Sequence, residues 1–165
     1  MQPSILILGF GNPGRVDDGL GPALVEGIRV RNFENVSCET TYQLQVEDAA
    51  EVANHDLVVF ADATTEQGQP FYFRPVEPDP DPSFSTHSVT PGAILALARQ
   101  AFGATCNAWI LGIRGHDFNR FHEGLSAESE SDLQTALGFL APWLLAQGLE
   151  PSEDSVDRTN TRALP

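Results

Sequence analysis

Apolar residues fall along this chain in short runs separated by stretches of helical spacing. Ile5–Leu8 (ILIL), Leu57–Ala61 (LVVFA) and Trp109–Ile113 (WILGI) are continuous apolar runs of the length of a buried strand. Val36–Leu44 (VSCETTYQL) alternates more weakly. Phe71–Val76 (FYFRPV) contains Pro75, which cannot donate a ladder hydrogen bond and so marks an edge strand. Between these runs, Leu24, Val25 and Ile28 give Pro22–Val30 an apolar face, and Val46–Ala53 is acidic and amphipathic. Thr90–Ala101 opens with Thr90 as a cap and Pro91 at the first helical position. Ser126–Gln147 is the longest helical pattern; Pro142 inside it removes a donor and predicts a kink or a division. Strands alternating with helices predict an α/β fold, a three-layer α/β/α sandwich around a mostly parallel, roughly five-stranded twisted sheet. We read 1–150 as one domain and 151–165, which has no periodicity and few apolar residues, as a flexible tail.

The junction after the first strand is the most informative stretch. Ile5–Leu8 breaks at Gly9-Phe10-Gly11-Asn12-Pro13-Gly14, and Asp17 and Asp18 follow before the helical pattern begins. In an α/β sheet, ligands bind beyond the carboxyl ends of the strands, so this loop puts two acids where the chemistry is usually kept. Gly9, Gly11 and Gly14 also match the G-x-G-x-x-G dinucleotide fingerprint. The acids argue against that reading, because they would face the phosphate that such a turn delivers to a helix N-terminus. Pro13 deletes one N–H from the cradle. Glu34 and Glu39, the candidates for a ribose-binding acid, do not clearly end a second strand. No nucleotide cofactor is expected.

Charge narrows the partners. Nine basic against 23 acidic residues give a net charge of −14. Such a chain gains nothing from phosphate neutralisation, the main source of nucleic-acid affinity, and anionic membranes repel it. No apolar run is long enough to span a bilayer, and the N-terminus lacks the basic and apolar regions of a signal peptide. Cys38 and Cys106 are far apart and form no C-x-x-C, which favours a reducing cytoplasm over a disulfide framework.

Three residues occupy corresponding points of the strand-helix pattern. Asp18 follows the first strand, Asp62 ends Leu57–Ala61, and His87 lies in Ser85-Thr86-His87-Ser88 just before Thr90. Each has a plainer reading as a turn, cap or loop residue. Converging at the carboxyl edge of one sheet, two carboxylates and an imidazole make a mixed O/N site suited to a borderline divalent metal such as zinc or nickel. Asp17 is expected to serve the dipole of the following helix rather than a metal. His116-Asp117 and His122-Glu123 form a second cluster at the same edge, with no metal spacing, and read as a polar surface loop. No G-x-S-x-G and no H-E-x-x-H occur.

Gly9-x-Gly11-Asn12-Pro13, Asp17-Asp18-Gly19-x-Gly21, Val59-Phe60-Ala61-Asp62-Ala63, His87 and Ile94–Ala98, in that order, resemble the [NiFe]-hydrogenase maturation endopeptidases. Leu111-Gly112-Ile113 and Gly124-Leu125-Ser126 match that family's closing motifs, and the resemblance runs from Ile5 to about Leu145. It implies an endopeptidase that removes the C-terminal extension of a hydrogenase large-subunit precursor once nickel is inserted. It places the metal-binding and catalytic roles on Asp18, Asp62 and His87, with the nickel carried by the substrate. The first ligand is often Glu in the family; Asp18 is one methylene shorter. Glu39 stands near where some members carry a further acid. Tyr42-Gln43-Leu44 followed by Glu47-Asp48-Ala49 is similar to members serving soluble, cytoplasmic hydrogenases. A cytoplasmic monomer is expected, with the large-subunit precursor as partner. Two other readings are a non-cleaving, nickel-sensing chaperone of the large subunit, and a peptidyl-tRNA hydrolase. The latter shares the Gly-Asn-Pro opening but needs a His-Asn pair and a basic surface.

Overall fold

The computed structural model describes residues 1–82 and 89–149. His87 and the tail 151–165 therefore lie outside the described residues. Five strands form one sheet: β1 (Ile5–Phe10), β2 (Val36–Thr41), β3 (Leu57–Thr64), β4 (Phe71–Pro75) and β5 (Asn107–Arg114), in the order β2-β1-β3-β5-β4. All neighbours pair in parallel except β4, which runs antiparallel to β5 at the edge. The alternating stretch predicted as far as Leu44 stops at Thr41 as a strand.

The side-chain period of two sends each strand's residues to opposite faces. Ile5, Ile7, Val59, Ala61, Leu111 and Ile113 pack against α1 (Leu20–Arg29) and α4 (Ala127–Ala146). Leu6, Leu8, Val58, Phe60 and Ala108 pack against α2 (Asp48–Ala53) and α3 (Pro91–Phe102). Continuous apolar runs are what two covered faces require. Phe60, Ile5, Leu6 and Ile7 are fully buried, each contributing about 1.5–3 kcal/mol of transfer energy. The edge strand is fastened to α4 by aromatics: Phe73 lies 5.1 Å from Phe139 and 5.3 Å from Trp143, and Trp109 lies 5.4 Å from Trp143, all edge-to-face or tilted.

The predicted caps are present. Thr90 Oγ1 accepts from the Ala93 amide at 3.1 Å, and Ser126 Oγ from the Ser129 amide at 3.3 Å. Of the kink or division expected at Pro142, the division does not occur: α4 runs through it as one helix. No helix among the described residues is long and apolar enough to cross a membrane.

Candidate functional site

The strand order creates the site. From β1 the chain crosses through α1 to β2 on one side, while β3 lies on the other side and its connections run over the opposite face. The connections diverge at β1/β3, and a crevice opens at the carboxyl ends of those two strands. Asp18 leaves the end of β1 in the 3-10 turn Val16–Gly19, and Asp62 lies near the end of β3. The turn is seated on the strands by backbone contact. A Cβ on Gly21 would stand 2.4 Å from the Ala61 carbonyl oxygen and 2.5 Å from that of Phe10. At Gly11, with φ of 140°, a Cβ would stand 2.0 Å from the Asp18 carbonyl oxygen. Only glycine permits either approach.

Asp18 Oδ2 accepts the Asn12 amide at 3.0 Å, and Asn12 Oδ1 accepts the Gly14 amide at 2.9 Å. Two N–H groups of the glycine turn are thus used within the loop. Asp62 is partly buried beside Asp18. Burial pushes its carboxyl up to about 7, the Ala63 amide at 2.8 Å opposes this, and the Asp18 charge adds to it. A carboxyl that changes charge near neutrality at a sheet-edge crevice marks a functional-site candidate.

Sequence reasoning missed Tyr72. Asp62, Gly112 and Tyr72 stand in one lateral row across β3, β5 and β4. Gly112 lacks the side chain that would separate the outer two; a Cβ there would meet the Tyr72 ring at 2.2 Å and its hydroxyl oxygen at 2.6 Å. The Tyr72 ring is capped by the Arg74 guanidinium at 3.9 Å, and Arg74 pairs with Glu66 at 3.1 Å. Burial raises the Tyr72 phenol, as do the Glu66 and Asp62 charges, against Thr64 and Arg74. An edge-strand tyrosine paired with a glycine carries no local signal of this row.

Asp17 requires a correction. It is fully buried, and its carboxylate holds the β5–α4 loop instead of serving a helix dipole. Oδ2 accepts the His116 amide at 2.8 Å, the Asp117 amide at 2.7 Å and the Ser126 hydroxyl at 2.8 Å; Oδ1 accepts the Ser126 amide at 2.8 Å. Burial works to raise its pKa, and hydrogen bonds from Ser126, Ser129 and His116 outweigh it and hold the carboxyl below its ordinary range. The clamp also restrains Val16, a β-branched residue at φ 48°, whose amide donates to the His122 carbonyl at 2.9 Å. The second cluster is accordingly part of this scaffold. His116 Nε2 lies 2.9 Å from Asp132, which also binds Arg114 at 3.0 Å, while Asp117 pairs with Arg120 and His122 is exposed. Glu39 is exposed on β2.

Among the described residues, no three His, Cys, Asp or Glu side chains gather closely enough to hold a metal. The structure therefore brings together Asp18 and Asp62, two of the three expected ligands.

No family model matches the chain, and no curated protein matches it. Solved structures do. The hydrogenase maturating endopeptidase HybD from E. coli superposes with a TM-score of 0.69 at 23% identity, over 93% of this chain and 99% of its own. The [NiFe] hydrogenase maturation protease HycI from Thermococcus kodakarensis gives 0.67 at 21% identity, over 86% and 93%. The hydrogenase 2 maturation peptidase from a Thaumarchaeota archaeon gives 0.63 at 22% identity, over 88% and 99%. This chain has the α/β fold of the hydrogenase maturation proteases.

Proposed function

We propose that this chain is an endopeptidase that removes the C-terminal extension of a [NiFe]-hydrogenase large-subunit precursor after nickel insertion. The observation that carries the reading is the pair Asp18 and Asp62 at the β1/β3 crevice, in a fold shared with structures named as hydrogenase maturation proteases. Asp18, Asp62 and His87 would ligate nickel that the precursor brings with its own ligands. Two carboxylates and one imidazole leave coordination positions for those ligands. Held by the metal, the scissile peptide is fixed against the sheet edge, and hydrolysis becomes a positioned reaction. Water attacks the carbonyl carbon, a site carboxylate takes the water's proton, and the C–N bond breaks as that proton passes to the leaving amine. A charge of −14 stands against the tRNA-hydrolase alternative.

Mass spectrometry of a nickel-loaded large-subunit precursor, before and after incubation with the chain, tests the reading. The expected product lacks a C-terminal peptide, and the nickel-free precursor stays intact. Equal cleavage of both precursors would sink recognition through nickel. Binding without cleavage would instead support the nickel-sensing chaperone.

A further inference from the structure

The edge strand β4 opens Phe71-Tyr72-Phe73, and its pleat divides these three rings between the two faces of the sheet. Phe71 and Phe73 pack on the α1/α4 side, together with Leu111 and Ile113 of β5 and Ala61 and Ala63 of β3. Tyr72, Gly112 and Asp62 share the opposite side, since each alternates with those residues and the three are register partners. The one aromatic of β4 that bears a hydroxyl is therefore on the face that carries Asp62.

The tip of the ring reaches toward that acid. A Cβ on Gly112 would stand 2.2 Å from Tyr72 Cζ and 2.6 Å from its hydroxyl oxygen, so the hydroxyl lies over the backbone of the intervening strand. Neighbouring strands are ~4.8 Å apart, which puts the hydroxyl about one strand spacing from Asp62. Such a gap admits an oxygen atom within hydrogen-bond reach of both groups. Among the described residues no hydrogen bond joins the two side chains. Asp62 Oδ1 accepts the adjacent Ala63 amide at 2.8 Å.

The ring is held in place. The Arg74 guanidinium covers it at 3.9 Å and is itself fixed by Glu66 at 3.1 Å. The Thr64 side chain stands beside the phenol oxygen. Its Oγ1 already accepts the Glu66 amide at 3.1 Å, so the proton it has to give goes to that phenol oxygen. The phenol's own proton is left to point at the crevice. Burial first, then the Glu66 and Asp62 charges, keep the phenol neutral and hence a donor.

We infer that Tyr72 is a catalytic residue whose hydroxyl donates a hydrogen bond to the scissile carbonyl oxygen as negative charge gathers there. The inference rests on the endopeptidase reading, which brings a peptide carbonyl to Asp62. As water adds to the carbonyl carbon, the C=O electron pair moves onto oxygen; it returns when the C–N bond breaks. The phenol keeps its proton through both steps. A donor already aimed at the developing charge needs no reorganisation at the moment of reaction. It acts on the transition state more than on the bound substrate, so it raises kcat and leaves KM nearly unchanged.

The test measures kcat and KM for the nickel-loaded precursor across pH, with thermal melting, for the native chain, Tyr72→Phe, Gly112→Ala and the double variant. Tyr72→Phe keeps the ring and should melt with the native chain, hold KM and lose about a hundredfold in kcat at every pH. Gly112→Ala, whose Cβ displaces the hydroxyl, should lose kcat as well, and the double variant should process no more slowly than Tyr72→Phe. An unchanged kcat in Tyr72→Phe overturns the inference, as does a loss carried by KM. An acid limb that moves in Tyr72→Phe would put the hydroxyl on Asp62 instead of the carbonyl and also overturns it. If the native chain cuts nothing, the endopeptidase reading itself falls and this inference with it; if the native chain cuts and Tyr72→Phe cuts as fast, only this inference falls.

Discussion

Asp17 and Asp18 are adjacent and chemically identical, and the fold gives them opposite fates. Asp17 spends its carboxylate on three amides and a hydroxyl, whereas Asp18 accepts one amide and faces the crevice that holds Asp62. Asp62 bears a cost for its position. Its folded pKa of about 7 exceeds its ordinary 3.8, so the folded state holds a proton that the unfolded chain has released. Its contribution to stability therefore falls as pH rises from about 4 to about 7 and is constant above that. Asp62→Asn removes this dependence. It should be the more stable protein by on the order of 1–2 kcal/mol at pH 8, allowing for solvent screening, and equal to the native chain near pH 4. It should also abolish processing. Denaturant unfolding at both pH values, with precursor cleavage measured in parallel, checks both halves, and a fully active Asp62→Asn would remove the residue from the site. Because metal capture needs the ionised carboxylate, processing by the native chain should decline as pH falls through 7.

At the scale of elements, the decisive join is between the β1–α1 connection and the β5–α4 loop. The Asp17 carboxylate, the Val16 amide and the Ser126 cap draw the two loops into one edge, with Arg114, His116 and Asp132 bracing it from α4. Asp17→Asn puts an amide N–H where backbone N–H groups now point, so donors face donors in a buried setting. The expected loss is about 3 kcal/mol, or roughly 10 °C in Tm for a chain of this size. The lowered Asp17 pKa adds a sign. Its stabilisation is present above its ordinary carboxyl range and is lost as pH falls through the lower folded value. Acid unfolding of Asp17→Asn should be the shallower curve below pH ~4. A melting temperature within about 2 °C of the native chain would show that the clamp is redundant.

For the molecule as a whole, the crevice follows from strand order and the charge from composition. A net charge of −14 on a chain of 17.9 kDa repels itself more in the compact state than in the unfolded one. Raising ionic strength from about 0.01 to about 0.2 M shortens the screening length from ~30 Å to under ~10 Å. Tm should then rise by a few degrees, and calorimetry in sodium chloride measures it. A fall would show that specific ion pairs outweigh the self-repulsion.

Local patterns alone determined most of the elements. Apolar runs located β1, β3 and β5, the proline located the edge strand, and Thr90 and Ser126 located two helix starts, because periodicity and capping act between residues a few positions apart. They also put Asp18 just beyond one strand and Asp62 at the end of another, which in an α/β sheet means a shared edge, although β3 runs on to Thr64 and takes Asp62 into the sheet. The same pattern put His87 in the loop before Thr90, outside the described residues. Only tertiary structure decided that β4 turns antiparallel beside β5, that Gly112 opens the row from Asp62 to Tyr72, and that the Asp17 carboxylate holds the β5–α4 loop. Asp17 finds its partners 99, 100 and 109 residues away. A pattern read along the chain reports on near neighbours, whereas the cost of burying a carboxylate is met by whichever donors the packed sheet brings to it.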